Sequence, residues 1–231
     1  MSTTNAAIPA SSPARPGWPE LAVGVAVTVL LYLVGGTLLA LVPSDAVFSP
    51  GLAAFLLSGG APIVGVLVAV LIRMRDLRPF GFRRVHPGWV LVGVAAGIGA
   101  FLLSWPVSWV FDPFFPGSEA VQQGYRDASQ AGVLSLLATV ALGGVLTPIG
   151  EEMLFRGLIT NFLLRWNGWL AILLGAAIFA VAHGVNAVMP LALVVGLATG
   201  ALFARTGSIW PGIAVHVTYN TLGLLYHGLA A

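Results

Sequence analysis

The chain has 231 residues, of which 58% are hydrophobic and 8% charged, and its mean hydropathy is +0.96; soluble domains carry about a quarter charged residues. A soluble globular domain is excluded and an integral membrane protein is expected. With no cysteine in the chain, disulfides, thiolate catalysis and cysteine-ligated metals are excluded, and a net charge of only +2, with arginine as every basic residue, implies no nucleic-acid partner.

Residues 1–19, rich in Ser, Pro and Ala, read as a disordered cytoplasmic tail. The first uncharged run, Leu21 to Ser44, is too long for a signal-peptide core and no cleavage site follows, so it reads as a retained span. Gly51 to Ile72 and Trp89 to Phe111 are the next two runs, and Ala131 opens a fourth that continues through two glutamates to Leu164. Arg165 and Arg205 bound a stretch without charge, long enough for two spans with a turn near Gly184 to Pro190, and a last span covers Ile209 to Leu229. At roughly 20 residues per crossing, the fold class is all-α, a polytopic transmembrane bundle of about seven spans (six to eight).

Cytoplasmic loops carry excess arginine and lysine. A cytoplasmic amino terminus places Arg15, the cluster Arg73, Arg75, Arg78, Arg83 and Arg84, then Arg165 and Arg205 inside; Arg126 falls outside with Asp45, Asp112, Glu119 and Asp127, and the carboxyl terminus ends outside. Trp18, Trp89, Trp166, Trp169 and Trp210 mark the inner interface, Trp105 and Trp109 the outer. The chain has no internal repeat of the kind that builds transporters.

Against this apolar background stands LTPIGEEMLFRGLIT, residues 146–160. A charge at the centre of a membrane helix costs about 2.5–3.5 kcal/mol on insertion scales, so such residues persist where they are paired or line a polar cavity. Glu152 and Arg156 are four apart and share a face, which makes them structural supports. Glu151 points about 100° away round the helix and stays free to act. Two further spans bring polar groups: IFAVAHGVN carries His183, and IAVHVTYN carries His216 and Asn220 on one face. Taken alone, each has a plainer reading, as an ion pair, a satisfied core histidine or a helix-joining amide. On straight helices at about 1.5 Å per residue, Glu151 and His183 lie roughly 21 Å from the inner ends of their spans, His216 about 12 Å and Asn220 about 18 Å, levels that overlap only with tilt or bending.

Glu151-Glu152-Met153-Leu154-Phe155-Arg156 matches EExxxR, Phe179 and His183 match FxxxH, and His216 and Asn220 match HxxxN, in that order. The chain thereby resembles the CAAX prenyl protease and bacteriocin-processing family of intramembrane proteases, whose members include bacteriocin-immunity proteins. The resemblance implies a single intramembrane protease-like domain over residues 20–231, with a motif core at 131–229. It implies an endopeptidase that hydrolyses peptide bonds within a membrane cavity, with Glu151, His183, His216 and Asn220 as catalytic residues and Glu152, Arg156 and Phe179 in support.

The residue types suit that chemistry. Hydrolysis needs a base for water, for which Glu151 is the candidate; His183 orients or shares the activation, and His216 with Asn220 donates to the oxyanion, where one donor is worth about 2.7–4 kcal/mol. Glu151, His183 and His216 are also a His₂Glu zinc set, and the family carries the label metalloprotease, while HExxH is absent; the reading leans towards no required metal, with zinc or another divalent cation as the alternative. The partners expected are a peptide or membrane-associated protein substrate presented near the cytoplasmic face, and the lipid bilayer. The absence of lysine amid Ala, Gly and Val suits a GC-rich bacterium, hence a plasma membrane. Two other functions compete: a non-catalytic scaffold or immunity protein holding a structural polar network, and a small proton-coupled transporter.

Overall fold

Small and polar residues, not leucines, face inward on the first helix. The computed structural model describes residues 15–43, 46 and 48–229; residues 1–14 of the expected tail, and Ser44 and Asp45, lie outside them. Helix α1 (Trp18–Leu39) starts inside the stretch expected as tail and buries only Glu20, Gly24 and Thr28, one stripe at a spacing of four. Leu30, Leu33 and Leu38 stand exposed. This inverts soluble amphipathicity: lipid is as apolar as leucine, so helices associate through small residues that let backbones approach.

The remaining helices are α2 (Pro50–Ile72), α3 (Pro87–Phe111) and α4 (Glu119–Gln130), a continuous α5 (Val133–Leu163), α6 (Gly168–Ala182), α7 (Val188–Thr206) and α8 (Trp210–Leu229). No strand occurs among the described residues. Five helices are long and apolar enough to cross a bilayer: α1, α2, α3 with a short 3₁₀ extension to Phe114, α5 and α7. The seven spans expected from uncharged runs are therefore not reached by length and composition. Helix α6 is apolar but stops after 15 residues, and α8 falls outside the five because His216, Asn220 and His227 interrupt its apolar character. The two helices that fall short carry the histidines of the motifs. Helix α4 lies in a stretch that hydropathy treats only as an outer loop.

The two ends of the bundle differ in charge. At one end Arg73 grips Glu20 through Nε and Nη2, at 2.9 and 3.0 Å, and Arg165 donates to the Pro16 carbonyl at 2.6 Å. Trp18 packs edge-on against Phe162, with ring centres 4.6 Å apart. Ser208 donates to the Arg83 carbonyl at 2.8 Å, and the Ile209 amide donates to the Gly81 carbonyl at 3.0 Å. These contacts gather the starts of α1, α3 and α8 with the ends of α2 and α5, and with them Arg73, Arg78, Arg83 and Arg165. At the other end α4 lies across the starts of α2 and α5 and the end of α8. Gln130 donates to the His227 carbonyl at 3.1 Å, and Tyr125 packs on Phe55 at 4.4 Å; Arg126 is on this side.

Helix α5 is not uniform. Wider π turns at Val140–Leu146 and Met153–Thr160 flank an α-helical segment, Thr147–Glu152. Pro148 supplies a reason. It lacks the N–H that would bond Gly144 in an α register or Gly143 in a π register. Helix α8 reaches both carbonyls: Asn220 Nδ2 donates to Gly143 at 3.0 Å, and Thr221 Oγ1 lies 3.5 Å from the Gly144 oxygen.

Candidate active site

Glu151 sits on the α-helical segment between the π turns and is 6% exposed. Its approach to α2 depends on a crossing of two glycines. A Cβ on Gly150 would collide with the Gly59 carbonyl oxygen, and one on Gly59 would meet the Leu146 carbonyl at 2.7 Å. That crossing brings Ser58 to Glu151, and Ser58 Oγ donates to Oε1 at 3.3 Å. Tyr32 in turn donates to the Ser58 carbonyl at 3.0 Å.

The second oxygen of Glu151 faces both histidines. Oε2 lies 3.8 Å from His183 Nε2 and 3.7 Å from His216 Nε2, too far for direct hydrogen bonds. It is buried without a hydrogen-bond partner. His183 caps the end of α6, and its Nδ1 lies 2.8 Å from the Phe179 carbonyl. A carbonyl only accepts, so Nδ1 carries a proton and donates, and Nε2 is the ring atom turned towards Glu151. His216 Nδ1 lies 3.3 Å from Glu152 Oε1. By the same reasoning Nδ1 is the donor there, which leaves Nε2 to face Glu151.

Glu152 and Arg156 are wholly buried. Arg156 Nη1 stands 2.9 Å from Glu152 Oε1, but without hydrogen-bond alignment, and so counts among the buried atoms with no such partner. Nη2 donates to the Gly196 carbonyl at 3.2 Å. Gly212 at the start of α8 makes room for the carboxylate, since a Cβ there would stand 2.5 Å from Glu152 Oε2. Phe179 ties the halves together: the Arg156 guanidinium lies over its ring at 4.4 Å, and its ring centre is 4.6 Å from that of His183 and 5.6 Å from that of His216.

Glu151, His183, His216 and Asn220 all line one cavity of about 480 Å³, together with Phe179, Ser58 and Tyr125. Burial, and secondarily the nearby Glu151 carboxylate, push the Tyr125 hydroxyl up from its ordinary value. Asn220 uses one amide N–H on Gly143 and keeps a second. Among the described residues no group of three His, Asp or Glu side chains is disposed to hold a metal ion. The donor types of Glu151, His183 and His216 are those of a zinc set, whose tetrahedral ligands at bonds of about 2.0–2.2 Å stand about 3.4 Å apart, within a few tenths of an ångström of the 3.7 and 3.8 Å found here.

The depth mismatch noted in the sequence has a structural reason. The loop that joins α2 to α3 folds inward beside α5: Phe80 is wholly buried, Asn161 donates to the Pro79 carbonyl at 2.6 Å, and a Cβ on Gly157 would meet the Phe80 carbonyl at 2.7 Å. The residue before α8, Ile209, is hydrogen-bonded to that same loop at Gly81. Counted from this shared level at about 1.5 Å per residue, Glu151 is about 9 Å from Gly157 and His216 about 10 Å from Ile209. Ser58 escaped the sequence reading, its only signal being a lone hydroxyl in an apolar span. The pairing of Glu20 with Arg73 escaped it too.

The family model described as type II CAAX prenyl endopeptidase, Rce1-like, matches residues 133–222, which hold all three motifs. An Escherichia coli protein described as an uncharacterized 24.3 kDa protein is 31% identical over 181 residues, covering 73% of this chain and 79% of its own. No solved structure matches the chain.

Proposed function

Since the chain belongs to the CAAX prenyl protease and bacteriocin-processing family of membrane endopeptidases, we propose that it hydrolyses peptide bonds with a water activated by Glu151 and His183. The observation that carries this reading is the meeting of Glu151 Oε2 with two imidazole Nε2 atoms at 3.8 and 3.7 Å. Separations of that size leave room for one water that donates to the carboxylate and to His183.

Glu151 takes the water's proton as oxygen attacks the scissile carbonyl carbon. The carbonyl becomes an oxyanion, to which the second N–H of Asn220 and the Nε2 side of His216 are turned as donors. Collapse breaks the C–N bond, and the proton held by Glu151 passes to the leaving amine. Glu152 fixes the His216 ring through Nδ1, Arg156 offsets the charge of Glu152, and Phe179 keeps the three in register. No step needs a side-chain nucleophile. No step is routed through a metal.

The alternative is a scaffold or immunity protein that keeps the same residues as a helix-holding network. The bond from Asn220 to Gly143 favours it, because that bond joins helices whatever the chemistry. Purified protein in liposomes, incubated with a peptide library and read by mass spectrometry, separates the two. Cleavage by the wild type and none by a folded Glu151→Gln variant is the expected result; identical product profiles from both would end the hydrolase reading.

A further inference from the structure

The cavity is closed at the arginine-bearing end of the bundle. Beneath Glu151 lie the buried Glu152, Arg156 and Phe179, and below them Phe80, Leu158, Phe203 and Ile209, each at most 1% exposed. The inward-folded loop at Pro79 and Phe80, held by Asn161, completes the seal. In the other direction the lining continues past His183 to Ser104, Ser108 and Asp112 at the end of α3, to Gln122 and Arg126 on α4, and to His227 at the end of α8. Asp112 and His227 are exposed. The passage therefore runs from the buried carboxylate to the end of the bundle where α4 lies, and polar groups line its outer part.

Charge gives that end a side. The loops between α2 and α3 and between α5 and α6 carry Arg75, Arg78, Arg83, Arg84 and Arg165, and the last turn of α7 at the same end carries Arg205, whereas the mouth has Arg126. Short loops rich in arginine stay in the cytoplasm. We propose that the catalytic cavity is entered from the extracytoplasmic face, and that its substrates are polypeptide segments presented there, such as exported peptides or the outward tails of membrane proteins. A mouth where hydroxyl, amide and charged side chains stand beside Trp105 and Tyr226 suits a hydrated polypeptide, which keeps its backbone groups bonded as it enters. The inference rests on the reading of Glu151 as the base of a peptide hydrolase, and it replaces the cytoplasmic presentation expected from sequence.

The chain has no cysteine, so single-cysteine variants report without background. Full-length Gln122→Cys and Arg83→Cys are expressed in bacteria and exposed to a membrane-impermeant maleimide. Labelling of Gln122→Cys in intact cells, with Arg83→Cys labelled only after lysis, is expected; the reverse pattern overturns the proposal, and because labelling needs no activity it does so independently of the hydrolase reading. In a second arm, a bulky maleimide is attached to Ser108→Cys in liposomes, and loss of cleavage of an added peptide is expected. Unchanged turnover overturns the route alone, whereas absence of turnover in wild-type and unlabelled protein refutes the hydrolase reading on which the proposal rests.

Discussion

Ser58 on α2 donates to Glu151 Oε1 at 3.3 Å, and so holds one carboxylate oxygen while the other faces the two histidines. Hydrogen bonds to charged groups are worth about 1.5–3 kcal/mol. Ser58→Ala is expected to lower kcat by about ten- to a hundredfold, each 1.4 kcal/mol being tenfold, with little change in KM, while Ser58→Thr keeps most of the activity. Steady-state kinetics on the two variants check this, and an unaltered kcat in Ser58→Ala would remove the residue from the site.

Glu152 and Arg156 form a buried ion pair whose members lie 2.9 Å apart. Breaking such a pair from one side leaves an uncompensated charge and costs about 3–5 kcal/mol. Arg156→Ala is therefore expected to lower the Tm in detergent sharply, with thermal unfolding as the measurement. A double variant, Glu152→Gln with Arg156→Met, should recover part of the stability but none of the activity, because His216 has lost the carboxylate that orients it.

Asn220 tests the two readings of the polar network. Asn220→Ala removes its bond to Gly143, worth about 1 kcal/mol of stability. As an oxyanion donor it is worth about 2.7–4 kcal/mol in the transition state, which predicts a kcat loss of about a hundredfold or more. Stability and kcat measured on the same preparation separate the roles: a Tm shift without a kinetic loss assigns Asn220 to helix joining alone.

The crossing of Gly59 and Gly150 holds α2 against α5. Overpacking a filled interior costs about 1–3 kcal/mol, and here the obstacle is backbone, which cannot rotate away. Gly150→Ala is expected to reduce both stability and turnover, whereas Gly60→Ala, where a Cβ meets nothing within 4 Å, leaves both unchanged. Unfolding and cleavage assays on the pair provide the comparison.

Metal removal bears on the chemistry directly. The mechanism above predicts that protein purified with chelator and found metal-free by mass spectrometry keeps its turnover. Dependence on added zinc would instead make Glu151, His183 and His216 its ligands, with the metal supplying a lowered pKa for bound water.

Sequence alone determined the class of molecule, because the price of a charge in lipid is high enough that composition decides the solvent. It also singled out Glu151, Glu152 and Arg156, since a carboxylate pair in an apolar run has few reasons to be there, and helical spacing alone put Glu152 beside Arg156. The placement of α5 to α8, with the turn after His183, was legible from charge-free runs broken by glycine and proline. Tertiary structure decided the rest. Only the fold brings Ser58 to Glu151 across 93 positions of chain, through two glycines whose crossing no local pattern announces. Only the inward loop at Phe80 gives α5 and α8 a common level, so depths counted from separate helix ends could not agree. And only the packing of α4 across the bundle, with buried side chains sealing the opposite end, decides the direction in which the cavity opens: periodicity reports which face of a helix is apolar, but not which helices meet or what lies between their ends.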